Sequence, residues 1–132
     1  MTQILANVIR GNTVESVHTG HISIIDDDGR EVASIGDPST VTYFRSACKA
    51  FQLIPCITSG AADAFRFDER EIALGAASHS GEQMHVEVAA SMLAKAGLSE
   101  NDLRCGSHLP FSSTAAEQMQ RAGETPTQLH NN

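Results

Sequence analysis

The hydrophobic pattern of this chain changes period near residue 45, and that change limits the folds open to it. Before that point, apolar residues come in short runs closed by turn signals. Ile4 to Ile9 ends at Arg10-Gly11-Asn12. Val14 to Ile25 alternates loosely through Val14, Val17, His21, Ile22, Ile24 and Ile25. Asp26-Asp27-Asp28-Gly29 supplies residues that tolerate a hairpin backbone, Val32 to Ile35 returns, and Gly36-Asp37-Pro38-Ser39 closes the unit. The pattern predicts an antiparallel meander.

After residue 45 the spacing is helical. Arg45 to Thr58 places Ala47, Cys48, Phe51, Leu53, Ile54 and Ile57 for a largely buried helix, shortened or kinked by Pro55. Asp68 with Glu71 matches an N-cap and its partner three residues on. Ser80 with Gln83 has the same spacing and would open the clearest helix, with Val86, Ala89, Ala90, Leu93 and Ala96 on one face and Gly97 at its end. Ser99 with Asp102 suits a short capped turn, and Thr114 with Glu117 a last helix ending near Gly123. Strands followed by helices predict an α+β chain and not a doubly wound sheet. No repeat, low-complexity tract or linker interrupts the 132 residues, so they are read as one domain or part of one.

Bulk properties exclude several classes of partner. The net charge is −7, with no basic stripe, and Trp is absent, so nucleic acid and anionic membrane surfaces are poor partners. No apolar run approaches the roughly 20 residues that span a bilayer. The start lacks the basic and apolar regions of a signal peptide. Cys48, Cys56 and Cys105 are odd in number and irregularly spaced, which argues for a reducing compartment. A cytoplasmic location is expected.

Two segments could carry chemistry. In Ser46-Ala47-Cys48-Lys49, hydroxyl and amine lie three residues apart on one helical face. A serine is a weak nucleophile until a base takes its proton, and lysine is that base only when neutral, which burial or a neighbouring cation favours. Ser-x-x-Lys is the nucleophile motif of serine β-lactamases and penicillin-binding proteins. The same four residues also suit an N-capping serine and a solvated lysine. In Ala77-Ser78-His79-Ser80-Gly81-Glu82, Ser78 could be a second hydroxyl and His79 an acid, base or positioning group, or the segment could be an ordinary cap. Cys105 with His108, and His18 with His21, are metal-ligand types without enough companions for a site. Phosphate loops are missing. The aspartate run lacks the calcium-loop pattern.

These pieces occur in an order that resembles the bacterial asparaginase II family, whose members are similar in fold to serine β-lactamases and glutaminases. The landmarks are Arg10-Gly11, Val14 through His21, Asp28-Gly29, Ser34 through Pro38, Phe44 through Gln52, Ala77 through Glu82, His85, Leu103 through Pro110, and Pro126 through Asn132. The resemblance implies that residues 1–132 are the N-terminal part of a single catalytic domain. It implies an amidohydrolase that converts asparagine to aspartate and ammonia, with Ser46 as nucleophile, Lys49 as activating base and Ser78 as the serine of a second Ser-Lys tandem. Arg45 and His79 are candidate substrate-binding residues, Arg45 because a guanidinium can pair bidentately with a carboxylate.

Ala50 stands where family members often have Pro, and Ala77 or its neighbour where they have Cys. In the family, the His-Asn-Asn stretch runs on into a Cys-Ser-Gly-Lys motif whose Cys and Lys resemble zinc ligands. The chain ends at Asn132. The expectation is therefore no cofactor in this fragment, zinc in the full-length protein, and little or no activity from the 132 residues alone. The small-molecule partner implied is L-asparagine. A homodimer is compatible with the sequence but not indicated by it. Two other readings stay open: a non-catalytic ligand-binding or interaction module with the same fold, and a related amidase acting on glutamine or another amide.

Overall fold

The computed structural model describes residues 2–132, which form two compact units divided between Tyr43 and Phe44. In the first, β1 (Gln3–Arg10) pairs antiparallel with β2 (Thr13–Gly20), and β3 (Ile22–Ile25) with β4 (Glu31–Ile35). The expected run from Val14 to Ile25 is thus broken at His21, and two hairpins stand in place of one continuous meander. The break has a specific cause. His21 Nδ1 accepts the Asp37 N–H at 2.7 Å, which commits its side chain to the Gly36 turn. A Cβ on Gly36 would lie 2.4 Å from that nitrogen, so only glycine fits there.

The aspartate run closes the second hairpin: Asp26 Oδ1 accepts the Arg30 N–H at 2.7 Å, and Asp28 pairs with the Arg30 guanidinium at 2.6 Å. Large apolar residues in both hairpins remain open, including Ile4, Ile9, Ile25 and Val32. A two-stranded ribbon has too little apolar area facing inward to make a core by itself.

The second unit holds α1 (Lys49–Thr58), α2 (Ala61–Ala64), α3 (Glu69–Ala76), α4 (Gln83–Lys95) and α5 (Ser113–Ala122), with short 3₁₀ turns at Arg45–Cys48, Glu100–Asp102 and Gln128–His130. The whole is mixed α+β, as the sequence predicts. No helix among the described residues is long and apolar enough to cross a membrane. α1 packs on α3, and α3 on α4. Gly75 admits the Leu53 side chain of α1 against α3.

Helix starts follow the caps where the backbone permits. Asp68 Oδ1 accepts the N–H groups of Arg70 and Glu71, and Glu71 returns a carboxylate oxygen to the Asp68 N–H at 2.8 Å. This is the expected capping box. Two of the other expected starts move. Gly81, at φ 74, cannot be helical, and the Ser80 hydroxyl donates to Glu82 Oε1, so α4 begins at Gln83 with Glu82 as its cap. α5 is capped by Ser112 and not Thr114, because the Ser112 N–H is held by the Ser80 carbonyl at 3.0 Å and the chain turns helical directly afterwards. The helix expected from Arg45 begins as a 3₁₀ turn and becomes α only at Lys49.

Glu71 ties α3 to α4. Its carboxylate is 2% exposed and accepts from Lys95 Nζ at 2.6 Å and Ser91 Oγ at 2.7 Å, both on α4. Lys95, with the Ser91 and Asp68 hydrogen bonds, holds the carboxyl down at about 2, against the desolvation that opposes it. In the unfolded chain the same group titrates near its ordinary value of 4.5. The stabilisation is therefore complete above that value and is lost as pH falls toward 2. Denaturant midpoints should drop over this window in the wild-type chain, and Glu71→Gln should remove that component of the slope. Equal acid slopes in the two proteins would count against the pairing.

Candidate active site around the Ala77–Glu82 loop

The loop between α3 and α4 carries Ser78 and His79, and it is held from several sides. Gly81 is buried, and a Cβ there would lie 2.8 Å from the His130 carbonyl oxygen and 3.1 Å from Pro110 Cα. The Ser80 carbonyl takes the Ser112 N–H, as above. Ser78 itself stays exposed.

Ser78 and His79 face a cavity of about 270 Å³, lined also by Arg70 and His85, with apolar wall from Leu74 and Met84. The rings of His79 and His85 stack with centroids 5.3 Å apart. His79 also lines a second cavity of about 360 Å³, walled chiefly by Phe67, Leu93, Leu98, Leu103 and Leu129.

Ser46 and Lys49 lie three residues apart across the 3₁₀ turn at Arg45–Cys48. The Lys49 N–H donates to the Ser46 carbonyl. Ser46 is exposed and Lys49 half-buried. Among the described residues no hydrogen bond joins Ser46 to Lys49, or either to Ser78. The Lys49 ammonium donates instead to Asn132 Oδ1. Arg45 is exposed with a left-handed backbone at φ 50, a conformation that costs an ordinary residue about 1 kcal/mol. It directs the chain into the turn that displays Ser46, and its carbonyl accepts Cys48 Sγ at 3.1 Å.

Electrostatics link the two segments. Burial pushes the His79 imidazole below its ordinary 6.5, and the charges of His85, Lys49, His108 and His130 add to the effect in that order. Lys49 therefore lies within electrostatic reach of the residue that follows Ser78. Burial and these charges favour the neutral form of His79.

The proton positions on these rings follow from their partners. His79 Nδ1 accepts the Gly81 N–H at 3.2 Å, His85 Nδ1 accepts the Glu82 N–H at 3.3 Å, and His130 Nδ1 accepts the Thr127 N–H at 3.0 Å. A neutral imidazole whose Nδ1 accepts must carry its hydrogen on Nε2. All three rings are thus Nε2–H donors. His108 is the reverse: its Nδ1 meets the Leu109 carbonyl at 2.6 Å, so that nitrogen carries the hydrogen.

This wiring bears on zinc. A ligating histidine normally presents a bare Nε2 while its Nδ1–H donates elsewhere, opposite to what His79, His85 and His130 do. Among the described residues no group of three or more His, Cys, Asp or Glu side chains is arranged to hold a metal. His108 is the one of these four rings with a bare Nε2, and it lacks the companions a zinc site needs among the described residues.

Sequence reasoning overlooked three participants: Arg70, His85 and Asn132. His85 was visible only as a landmark, Arg70 as the second residue of a capped helix, and Asn132 as part of a terminal motif. None carries a local pattern that announces a site. Gly81→Ala should cost about 1–3 kcal/mol, because it meets both a left-handed backbone and the His130 carbonyl. It should also raise the His79 titration midpoint by loosening the loop. Thermal melts and histidine Hε1 titrations check the two effects.

No curated protein matches the chain. The sequence model of the L-asparaginase II family matches residues 6–132. That span includes the Arg45–Lys49 turn, the Ser78–Glu82 loop and the terminal Asn132, so the chain belongs to the L-asparaginase II family.

Proposed function

We propose that this chain is the N-terminal part of an asparaginase-type amidohydrolase in which Ser46 is the nucleophile and Lys49 its base. Family membership supports a hydrolase of this general kind. The observation that carries the finer reading is the placement of Lys49. Lys49 is half-buried, its amine is turned to Asn132, and its charge acts on His79 beside Ser78. The apolar faces left open in the strand unit support a further part of the reading, that residues 1–132 belong to a larger catalytic domain.

The chemistry follows from the groups. A neutral Lys49 amine takes the Ser46 proton while Oγ bonds to the side-chain amide carbon of asparagine. The tetrahedral intermediate collapses, the C–N bond breaks, and the Lys49 ammonium returns the proton to departing ammonia. Water then adds to the resulting ester and gives a proton to Lys49; the ester C–O bond breaks, Lys49 returns that proton to Ser46 Oγ, and aspartate leaves with the serine hydroxyl and neutral amine restored. Ser78 supplies a second hydroxyl at the same centre, and His79 a neutral N–H donor. Arg45 stands next to the nucleophile as a carboxylate-pairing candidate. Glutamine and other amides are alternative substrates that the same two steps accommodate. The reaction as drawn requires neither nucleic acid nor membrane, and the cytoplasmic setting expected from the cysteines suits it. The second lysine and the zinc ligands implied by the resemblance are not among these residues, so the 132-residue chain should release little ammonia from asparagine.

A fluorophosphonate probe tests the nucleophile without needing turnover. Ser46 should be the labelled residue by peptide mass mapping, Ser46→Ala should abolish labelling, and Lys49→Met should slow it by about 10²-fold or more. Labelling that ignores Lys49→Met would sink the base assignment. Robust ammonia release by the 132-residue chain would overturn the expectation of inactivity.

A further inference from the structure

We propose that Arg70, together with His79 and His85, forms a carboxylate-binding end of the cavity that holds Ser78. Two independent features lead there. The first is the wiring of the imidazoles. His79 and His85 each spend Nδ1 on a backbone N–H of their own loop, which makes each ring an Nε2–H donor and an unsuitable metal ligand. Paired donors at one cavity suit an anion with two acceptor oxygens.

The second feature is Arg70. It lines the same cavity, and its guanidinium makes no hydrogen bond or ion pair with any described residue. Asp68, Glu71 and Glu87 flank Arg70 in an adjoining cavity, and each already accepts another hydrogen bond. Asp68 Oδ1 caps α3, Glu71 is taken by Lys95 and Ser91, and Glu87 Oε1 accepts from Gln83 Nε2 at 3.0 Å. The capping box sets the backbone of Arg70 at the second position of α3, so the guanidinium has a fixed base from which to reach. A guanidinium fork and a carboxylate match in a planar, bidentate way that an ammonium cannot reproduce.

The cavity of about 270 Å³ is of a size for a small amino acid and not for a peptide or nucleotide. Leu74 and Met84 offer wall to an aliphatic carbon. The ligand class is thus a small carboxylate with a short side chain, held so that its other end approaches the Ser78 hydroxyl. This rests on the amidohydrolase reading for its meaning as substrate recognition, but the binding site itself does not require turnover.

The test uses the 132-residue chain and carboxylate probes, followed by NMR at the Arg70 Nε–H and the His79 and His85 Hε1 signals. Succinate and L-aspartate should give saturable shifts at all three residues, and propionamide, which lacks the carboxylate, should not. Arg70→Gln should weaken binding by about tenfold or more, and Arg70→Lys should retain part of it. Arg70 is exposed, and its backbone N–H, not its side chain, serves the cap, so both variants should keep the fold; the lysine variant guards against loss of the first. Absent or non-saturable shifts in the wild-type chain, unchanged affinity in Arg70→Gln, or equal binding of propionamide would each overturn the site. Carboxylate binding that depends on Arg70, in a chain whose Ser46 resists fluorophosphonate, would leave this site standing and remove the amidase reading. The reverse result would do the opposite.

Discussion

The buried carboxylate of Glu71 is the contact on which the helical unit turns. It closes the cap of α3 through the Asp68 N–H and reaches across to Ser91 and Lys95 of α4. Lys95 then extends the tie to the Arg66 carbonyl at 2.9 Å. A charge this far from water is tolerable only when every lone pair is used, and here backbone, hydroxyl and ammonium share the work. The consequence is geometric. With α3 and α4 joined at the end away from it, the loop that carries Ser78 and His79 connects two helices fixed to each other. Few large apolar residues are buried in the unit, with Ala62 and Met119 the apolar side chains most withdrawn from solvent, so polar ties of this kind carry an unusual share of the organisation.

The second organising fact is that the histidines around the loop are oriented by backbone and not by one another. His85 and His130 each accept an N–H three residues back, as the third residue of a helical turn, and His79 accepts one two residues ahead. Helix starts have N–H groups that lack intrahelical partners, and an imidazole at that position satisfies one while surrendering its own acceptor. The rings that remain are hydrogen-bond donors. Their mutual proximity and partial burial favour the uncharged form of His79, which lets it donate without adding repulsion to the nearby Lys49.

The expected helix starts show where local reading is dependable. Asp68 and Glu71 formed their box as the four-residue pattern requires, and so did Ser99 and Asp102. Both patterns are self-contained, since each partner is three residues away. Ser80-Gln83 and Thr114-Glu117 have the same spacing yet yielded to Glu82 and Ser112. The reason in both cases lies outside the pattern: a left-handed Gly81 pressed against Pro110 and His130, and a backbone hydrogen bond between residues 80 and 112. The long strand expected from Val14 failed at His21 through its contact with residue 37, again a partner that no local window contains.

From the residues alone came the mixed α+β character, the turn positions and the family resemblance carried by the Ser46–Lys49 and Ser78–His79 segments. These depend on periodicity, on short-range spacing and on motif order, all of which are written along the chain. Tertiary structure alone decided that Asn132 meets Lys49, that Arg70 and His85 share the Ser78 cavity, and which nitrogen of each histidine carries its proton. Those outcomes depend on groups distant in sequence being brought within a few ångströms, and on which backbone N–H is left over once the helices have formed.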